Sequence, residues 1–277
     1  MPELPEVEVT KQGIEPKILG REITAVNVYD GRLRWPVPTN LQDILLGERC
    51  FSIVRRGKYL ILAMRSGYLL IHLGMTGVLR VLSPNDPRKI HDRVEIIFGD
   101  RALRLHDPRK FGAILWHAKT DGPVEQHPLL LKLGLEPLEA DFSGDQGGKH
   151  LFQASRGKKL AVKQFLLAGH AVVGVGNIYC SESLFEAKIS PLRAAGKVSL
   201  KRYQDLAEAI RHTLEKAIKA GGSSLKDFVD SEGQPGHFML QTKAYGRAGE
   251  PCLVCGKPIA QITQGQRSTY YCSTCQK

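Results

Sequence analysis

The sequence predicts an α+β chain of two domains, in which a leading helix joins an N-terminal β-sandwich and a helical second domain ends in a β-hairpin. Three observations lead there. Seven short β-rich runs lie between residues 23 and 116, helical periodicity takes over after residue 150, and Cys252, Cys255, Cys272 and Cys275 close the chain as two Cys-x2-Cys pairs sixteen residues apart. With 277 residues and 42% hydrophobic composition, the chain can bury such cores without cross-links.

The elements follow in order. Pro5 suits the first turn of a helix in which Val7, Ile14 and Ile18 recur at roughly helical spacing, with Glu6 and Glu8 where the helix dipole favours anions and Gly20 as the stop. Runs 23–28, 52–64, 68–72, 77–82, 94–98, 102–105 and 113–116 are short, often alternating and bounded by Gly, Asp and Pro turns, which implies a sandwich or barrel. The stretch GLEPLEADFSGDQGG has no period and reads as a linker, giving domains 1–133 and 151–240 around residues 134–150. From Arg202 to Lys219, Tyr203, Leu206, Ala207, Ile210, Leu214, Ala217 and Ile218 share one helical face, and Gly221-Gly222 ends it.

Composition narrows the function classes. Thirty-nine basic against twenty-eight acidic residues leave a net charge of +11, which favours a polyanionic partner, nucleic acid ahead of a membrane surface. The first twenty residues carry four glutamates and no apolar core, and no stretch approaches a membrane span, so a cytoplasmic protein is expected. In that reducing compartment the cysteines do not read as disulfides. Cys50 and Cys180 are expected as small buried apolar residues.

The terminal cysteine spacing fits a tetrahedral four-thiolate zinc site, so residues 241–277 read as a zinc ribbon. Four thiolates leave no open coordination position. The expected cofactor is therefore one structural Zn2+, with no catalytic metal. Between the pairs, Gln264 to Tyr271 is expected to form a hairpin with Arg267 near its tip, placed to meet a phosphate or a base edge.

The other chain end carries different chemistry. Once Met1 is removed, Pro2 offers a secondary amine, a candidate covalent nucleophile, with Glu3 and Glu6 close enough to move protons and stabilise an iminium cation. The opposing reading is a plain helix start, since Pro and Glu are common there.

The segments MPELPEVE, VVGVGNIYCSESLF (Val172 to Phe185) and the ribbon, in this order and across the whole chain, resemble the formamidopyrimidine-DNA glycosylase family of bacterial base-excision repair enzymes. The resemblance implies a bifunctional glycosylase and abasic-site lyase, monomeric, acting on double-stranded DNA with oxidised or abasic sites. In it Pro2 attacks the sugar C1′, Glu3 protonates the sugar ring, Glu6 is a second carboxylate near the damage, and Lys58 in RRGKYL assists from a phosphate. A base must be everted before excision, and Met75, Arg109 and Phe111 match the residues that fill the gap.

The resemblance further implies a helix-two-turn-helix over 158–185, with Lys158 at its start and Asn177 opening a phosphate-binding helix. Tyr245 contacts backbone phosphate, with His72 and His91 as weaker candidates, and Ser223 and Ser224 of GGSSLKDF read the extruded base. Two rivals stand beside this reading. An endonuclease VIII type, preferring oxidised pyrimidines, is opposed by Met75 and DPRKFG; a non-enzymatic zinc-ribbon DNA-binding protein is opposed by Pro2, Glu3 and Glu6 together.

Overall fold

A computed structural model describes residues 1–223 and 236–277. The chain separates into two compact units: Met1–Leu131 with the described part of Ala220–His237, and Lys132–Lys219 with Phe238–Lys277.

The first unit opens with α1 (Leu4–Ile18), whose start is a capping box: the Glu3 side chain accepts from the backbone N–H of Glu6, and the Glu6 side chain accepts from the N–H of Glu3. Pro5 occupies the first turn, where its missing N–H costs nothing. At the other end Gly20 takes φ +73° and donates to the Cys50 carbonyl at 2.7 Å. Strand β1 (Ala25–Val28) and the short helix α2 (Leu41–Leu45) follow.

The remaining strands are β2 (Ser52–Arg56), β3 (Tyr59–Ala63), β4 (Gly67–His72), β5 (Val78–Leu82), β6 (Asp92–Phe98), β7 (Arg101–His106) and β8 (Ala113–Ala118). They form two four-stranded sheets, β1-β6-β7-β5 and β2-β3-β4-β8, antiparallel throughout. The expected single run 52–64 is two strands instead, because Gly57 at φ +58° turns the chain back and pairs Arg56 with Tyr59. Alternating residues such as Ile53, Leu60 and Leu62 from one sheet and Leu79, Ile96 and Leu105 from the other bury one core with Val7 and Ile14 of α1. The expected sandwich is present.

The opposite face of the first sheet carries a buried polar row. Asn27, Glu95, Arg104 and Arg80 lie abreast on four strands, and Arg104 also donates to the carbonyls of Asp86 and Pro87. Burial alone would raise the Glu95 carboxyl, but hydrogen bonds from Asn27, Arg104 and Tyr29 outweigh it and hold it below the usual range. This row fixes the segment that leads to His91.

The second unit contains α3 (Gly144–Ser155), α4 (Val162–Leu167), α5 (Asn177–Glu186), α6 (Leu200–Lys219) and the hairpin β9 (Ala260–Gln264) and β10 (Arg267–Tyr271). The stretch expected as a linker, 134–150, is therefore half helical. Its glycines serve packing rather than freedom: a Cβ on Gly148 would lie 2.4 Å from the Gln204 Cα of α6. The predicted apolar face of α6 is buried at Tyr203, Leu206, Ala207, Ile210, Leu214 and Ala217. Residues 220–223, expected within the helical domain, group with the first unit. Among the described residues no helix is long and apolar enough to cross a membrane.

Candidate active site and nucleic-acid interface

Pro2 and Glu3 are buried at the head of α1. The Glu6 carboxylate, 1% exposed, is fixed from two directions: Oε2 accepts from the Glu3 N–H at 2.7 Å, while Oε1 accepts from the Ser223 N–H at 2.7 Å and the Ser223 hydroxyl at 2.8 Å. Ser223 thus lies beside the amino-terminal segment, joined to it by a carboxylate whose two oxygens both serve as acceptors. Ser224 lies outside the described residues.

Lys58 follows the Gly57 turn and is half-buried. Arg55, three residues earlier, turns away, its Nε lying 2.8 Å from the Glu8 carboxylate of α1 with the side chain 6% exposed. Arg55 therefore ties β2 to α1 rather than facing a ligand. His72, opposite Tyr59 in the sheet with ring centroids 4.7 Å apart, accepts from the Gly74 N–H at 3.0 Å through Nδ1. Burial, with help from the Lys58 and Arg34 charges, pushes its pKa down to about 4, so at neutral pH it is an uncharged ring. That makes His72 a poor electrostatic partner for phosphate.

Met75 and Phe111 are both exposed apolar side chains, 38% and 42%. Their loops meet back to back: Gly74, at φ +64°, sits where a Cβ would come 2.3 Å from the Phe111 carbonyl carbon. Arg109 stacks over the Phe111 ring at 4.8 Å. The three predicted gap-filling residues are thus brought together. Between Arg109 and Phe111, Lys110 takes φ +60° and pairs with Asp30 at 2.8 Å. His91 is half-buried near the Arg93 guanidinium at 3.3 Å, and its carbonyl accepts from the Asp107 N–H. The neighbouring Asp92 carboxylate is bonded to His106 and to the Lys89 N–H.

In the second unit the two turns between α4 and α5 pass through Gly174 at φ +83°, and Gly176 rather than Asn177 caps α5. The Asn177 Nδ2 donates to the Ser268 carbonyl of the hairpin at 3.0 Å, and its Oδ1 has no hydrogen-bond partner among the described residues. Fully buried Lys163, unremarked in the sequence, reaches the same strand through the Ser268 carbonyl at 3.2 Å and the Thr269 hydroxyl at 2.9 Å. Both therefore brace the hairpin on which Arg267 is exposed. Lys158 is exposed just before α4.

Tyr245 stands on a loop organised by Glu182, a buried carboxylate that accepts from the successive N–H groups of Lys243, Ala244 and Tyr245 at 2.7, 2.9 and 2.7 Å. Its ring meets Tyr270 edge-on at 5.0 Å. Glu182 was missed in the sequence. Lying between Ser181 and Ser183, it reads in sequence as an ordinary polar helix position, and only its burial shows that it needs strong donors.

The ligand atoms of Cys252, Cys255, Cys272 and Cys275 all lie within 4.8 Å of one another. A tetrahedral zinc with Zn–S bonds near 2.3 Å sets its sulfurs roughly 3.8 Å apart, and the pairs Cys252–Cys275 and Cys255–Cys272 stand at 4.0 and 3.5 Å. The donor set fits the ion. Gly265 and Gln266, at φ +52° and +63°, make the tight turn that returns β10 beside β9. The apolar floor is Phe185, Ala244 and Ile259.

A two-carboxylate amino terminus on a sandwich, a helix-two-turn-helix and a four-cysteine hairpin together define a class of DNA-repair glycosylase, and the comparisons bear on this directly. Residues 1–114 match the formamidopyrimidine-DNA glycosylase N-terminal domain, 133–229 its H2TH domain, and 249–277 the zinc finger found in FPG and IleRS. A formamidopyrimidine-DNA glycosylase of Polynucleobacter necessarius is 64% identical over all of both chains. Two solved structures are similar at 33% identity and TM-score 0.87: MutM in complex with carbocyclic 8-oxo-G containing DNA, over 100% of each chain, and the Lactococcus lactis Fpg with an abasic site containing DNA, over 99% of each. This chain belongs to the formamidopyrimidine-DNA glycosylase family.

Proposed function

We propose that this protein removes oxidised purines, 8-oxoguanine and formamidopyrimidines, from duplex DNA and then cuts the abasic strand by β,δ-elimination. The observation that carries this is the amino-terminal arrangement: Pro2 and Glu3 buried at the head of α1 and held by Glu6 to Ser223. We assign it to the bacterial cytoplasm, acting as a monomer.

After loss of Met1, the Pro2 nitrogen forms a bond to C1′ as the bond to the damaged base breaks, and the proton that the nitrogen gives up neutralises the departing base. Glu3 gives a proton to the ring oxygen, the sugar opens, and the cation rests as an iminium. Loss of a C2′ proton then expels the 3′ phosphate, a second elimination expels the 5′ phosphate, and water releases the sugar fragment from Pro2. Glu6 acts chiefly by position, since its oxygens already accept from Glu3 and Ser223. Lys58, His91, Lys158, Asn177, Tyr245 and Arg267 take the phosphate backbone, the Asn177 amide being oriented by its Nδ2 bond to the Ser268 carbonyl. Ser223 and Ser224 are the residues assigned to the everted base. Met75, Arg109 and Phe111 fill the space it leaves. Zinc, when bound, holds the hairpin that carries Arg267.

Borohydride trapping tests the reading. The processed protein is mixed with a duplex bearing one 8-oxoguanine opposite cytosine, with a matched oxidised-pyrimidine duplex and with Pro2→Gly as control. A covalent complex mainly on the purine, altered in the control, is expected; stronger trapping on the pyrimidine sinks the purine assignment, and none on either sinks the covalent mechanism.

A further inference from the structure

We propose that Asp107 is a positioning residue that mounts the two DNA-inserting loops as one part, so that Met75 and Phe111 enter the helix together. This rests on reading Met75, Arg109 and Phe111 as the side chains that fill the gap left by an everted nucleotide. Asp107 directly follows β7 and is fully buried. Its Oδ1 accepts from the Thr76 hydroxyl at 3.0 Å, and its Oδ2 accepts from the Gly112 N–H at 2.8 Å. Thr76 is the residue after Met75, and Gly112 the residue after Phe111. One carboxylate thus grips both loops one position from their inserted side chains.

The surroundings suit a fixed mount. A Cβ on Gly112 would lie 2.9 Å from the His72 carbonyl oxygen and 3.1 Å from the Asp107 Oδ2, so only glycine lets the loops close on one another. The Arg93 guanidinium donates to the carbonyls of Asp107 at 2.8 Å and Pro108 at 3.3 Å, and also reaches Asp30 at 3.2 Å. Asp30 in turn holds Lys110. Along 107–112 the chain therefore alternates between anchored residues and the exposed Arg109 and Phe111. A preordered mount lowers the ordering cost of insertion, and it does so at eversion rather than at the bond-breaking steps. Asparagine at 107 keeps the shape but sets an amide N–H against one of the two donors.

The test compares wild type, Asp107→Asn, Thr76→Val, Phe111→Ala and Asp107→Asn/Phe111→Ala. Three readouts are taken: single-turnover excision of 8-oxoguanine, the eversion phase seen by 2-aminopurine beside the lesion, and cleavage of a preformed abasic site. Asp107→Asn is expected to slow eversion and excision about tenfold while abasic cleavage stays within about threefold, and the double variant to be no worse than Phe111→Ala by more than about twofold. Thr76→Val, which leaves the Gly112 bond in place, should give a smaller loss of the same pattern and carries the test if Asp107→Asn does not fold. Equal losses in all three readouts, following a lower melting temperature, would mean that Asp107 only stabilises the fold. Normal Asp107→Asn beside an impaired Phe111→Ala overturns the Asp107 role alone, and a normal Phe111→Ala overturns the gap-filling reading with it.

Discussion

Glu6 and Ser223, 217 positions apart, are joined by two hydrogen bonds to a single carboxylate oxygen, from the Ser223 N–H at 2.7 Å and its hydroxyl at 2.8 Å. The other oxygen of Glu6 holds the Glu3 N–H. One side chain therefore sets the spacing between the chain end that carries the proposed nucleophile and the start of the segment assigned to the everted base.

Because both oxygens accept, Glu6→Gln turns an amide N–H toward a donor and leaves a buried group unsatisfied, a cost of about 1–3 kcal/mol. Single-turnover excision is expected to fall about tenfold or more. Ser223→Ala keeps the backbone bond and loses about 1 kcal/mol, so its rate should lie between that of wild type and Glu6→Gln. The reverse order in a rapid-quench comparison would contradict the strap.

Glu3→Gln retains an acceptor for the helix-start N–H but has no proton to give. Excision is expected to drop by about 10²-fold or more while affinity for damaged duplex and the melting temperature change little. Normal excision would remove Glu3 as the proton donor.

His72 stays neutral in the native state down to about 4, whereas the unfolded ring takes a proton at its ordinary value of 6.5. Between those values the unfolded state binds more protons, so this contribution is complete above 6.5, falls as the pH drops through the window, and totals up to about 3 kcal/mol. Urea midpoints for wild type should decline more steeply than for His72→Gln between about pH 7 and about pH 4.5. Parallel declines would place the acid sensitivity elsewhere.

Removal of zinc is expected to disorder the hairpin and weaken DNA binding by about tenfold or more, since metal binding and local folding are linked. Both tryptophans, Trp35 and Trp116, lie in the first unit. Their emission should therefore hold steady while a chelator abolishes binding, and a matching shift in both signals would show that the sandwich depends on the ribbon.

Phosphate contacts made by charge and by neutral donors separate by salt. Lys158→Gln should make the log–log salt slope shallower by about 0.9, whereas Asn177→Ala should weaken binding at every salt concentration with the slope unchanged. Fluorescence anisotropy over a salt series reads both. Equal slopes for Lys158→Gln and wild type would take Lys158 out of the phosphate set.

Much of the fold was legible because its signals are local. Short β-rich runs between turn residues mark β4 and β5, the apolar stripe from Tyr203 to Ala217 marks α6, and the cysteine spacing marks the metal site, since each depends only on nearby residues or on ligand number. The misreadings share a cause: glycine has more than one use. Gly57 turns a strand back on itself, while Gly147 and Gly148 let α3 approach α6, yet in sequence they read as a strand interior and a linker.

The sequence by itself determined the fold class, the four-thiolate donor set and the candidate amino terminus, through short-range pattern and residue chemistry. Tertiary structure alone decided which carboxylates and amines hold the site together: Asp107 between two loops, Glu182 beneath Tyr245, Lys163 behind the hairpin and Glu6 against Ser223. A buried polar group is defined by the partners it finds, and those partners lie 31, 5, 63, 106 and 217 positions away. Nothing in the local sequence encodes such pairings; they exist only once the sheets and helices have packed.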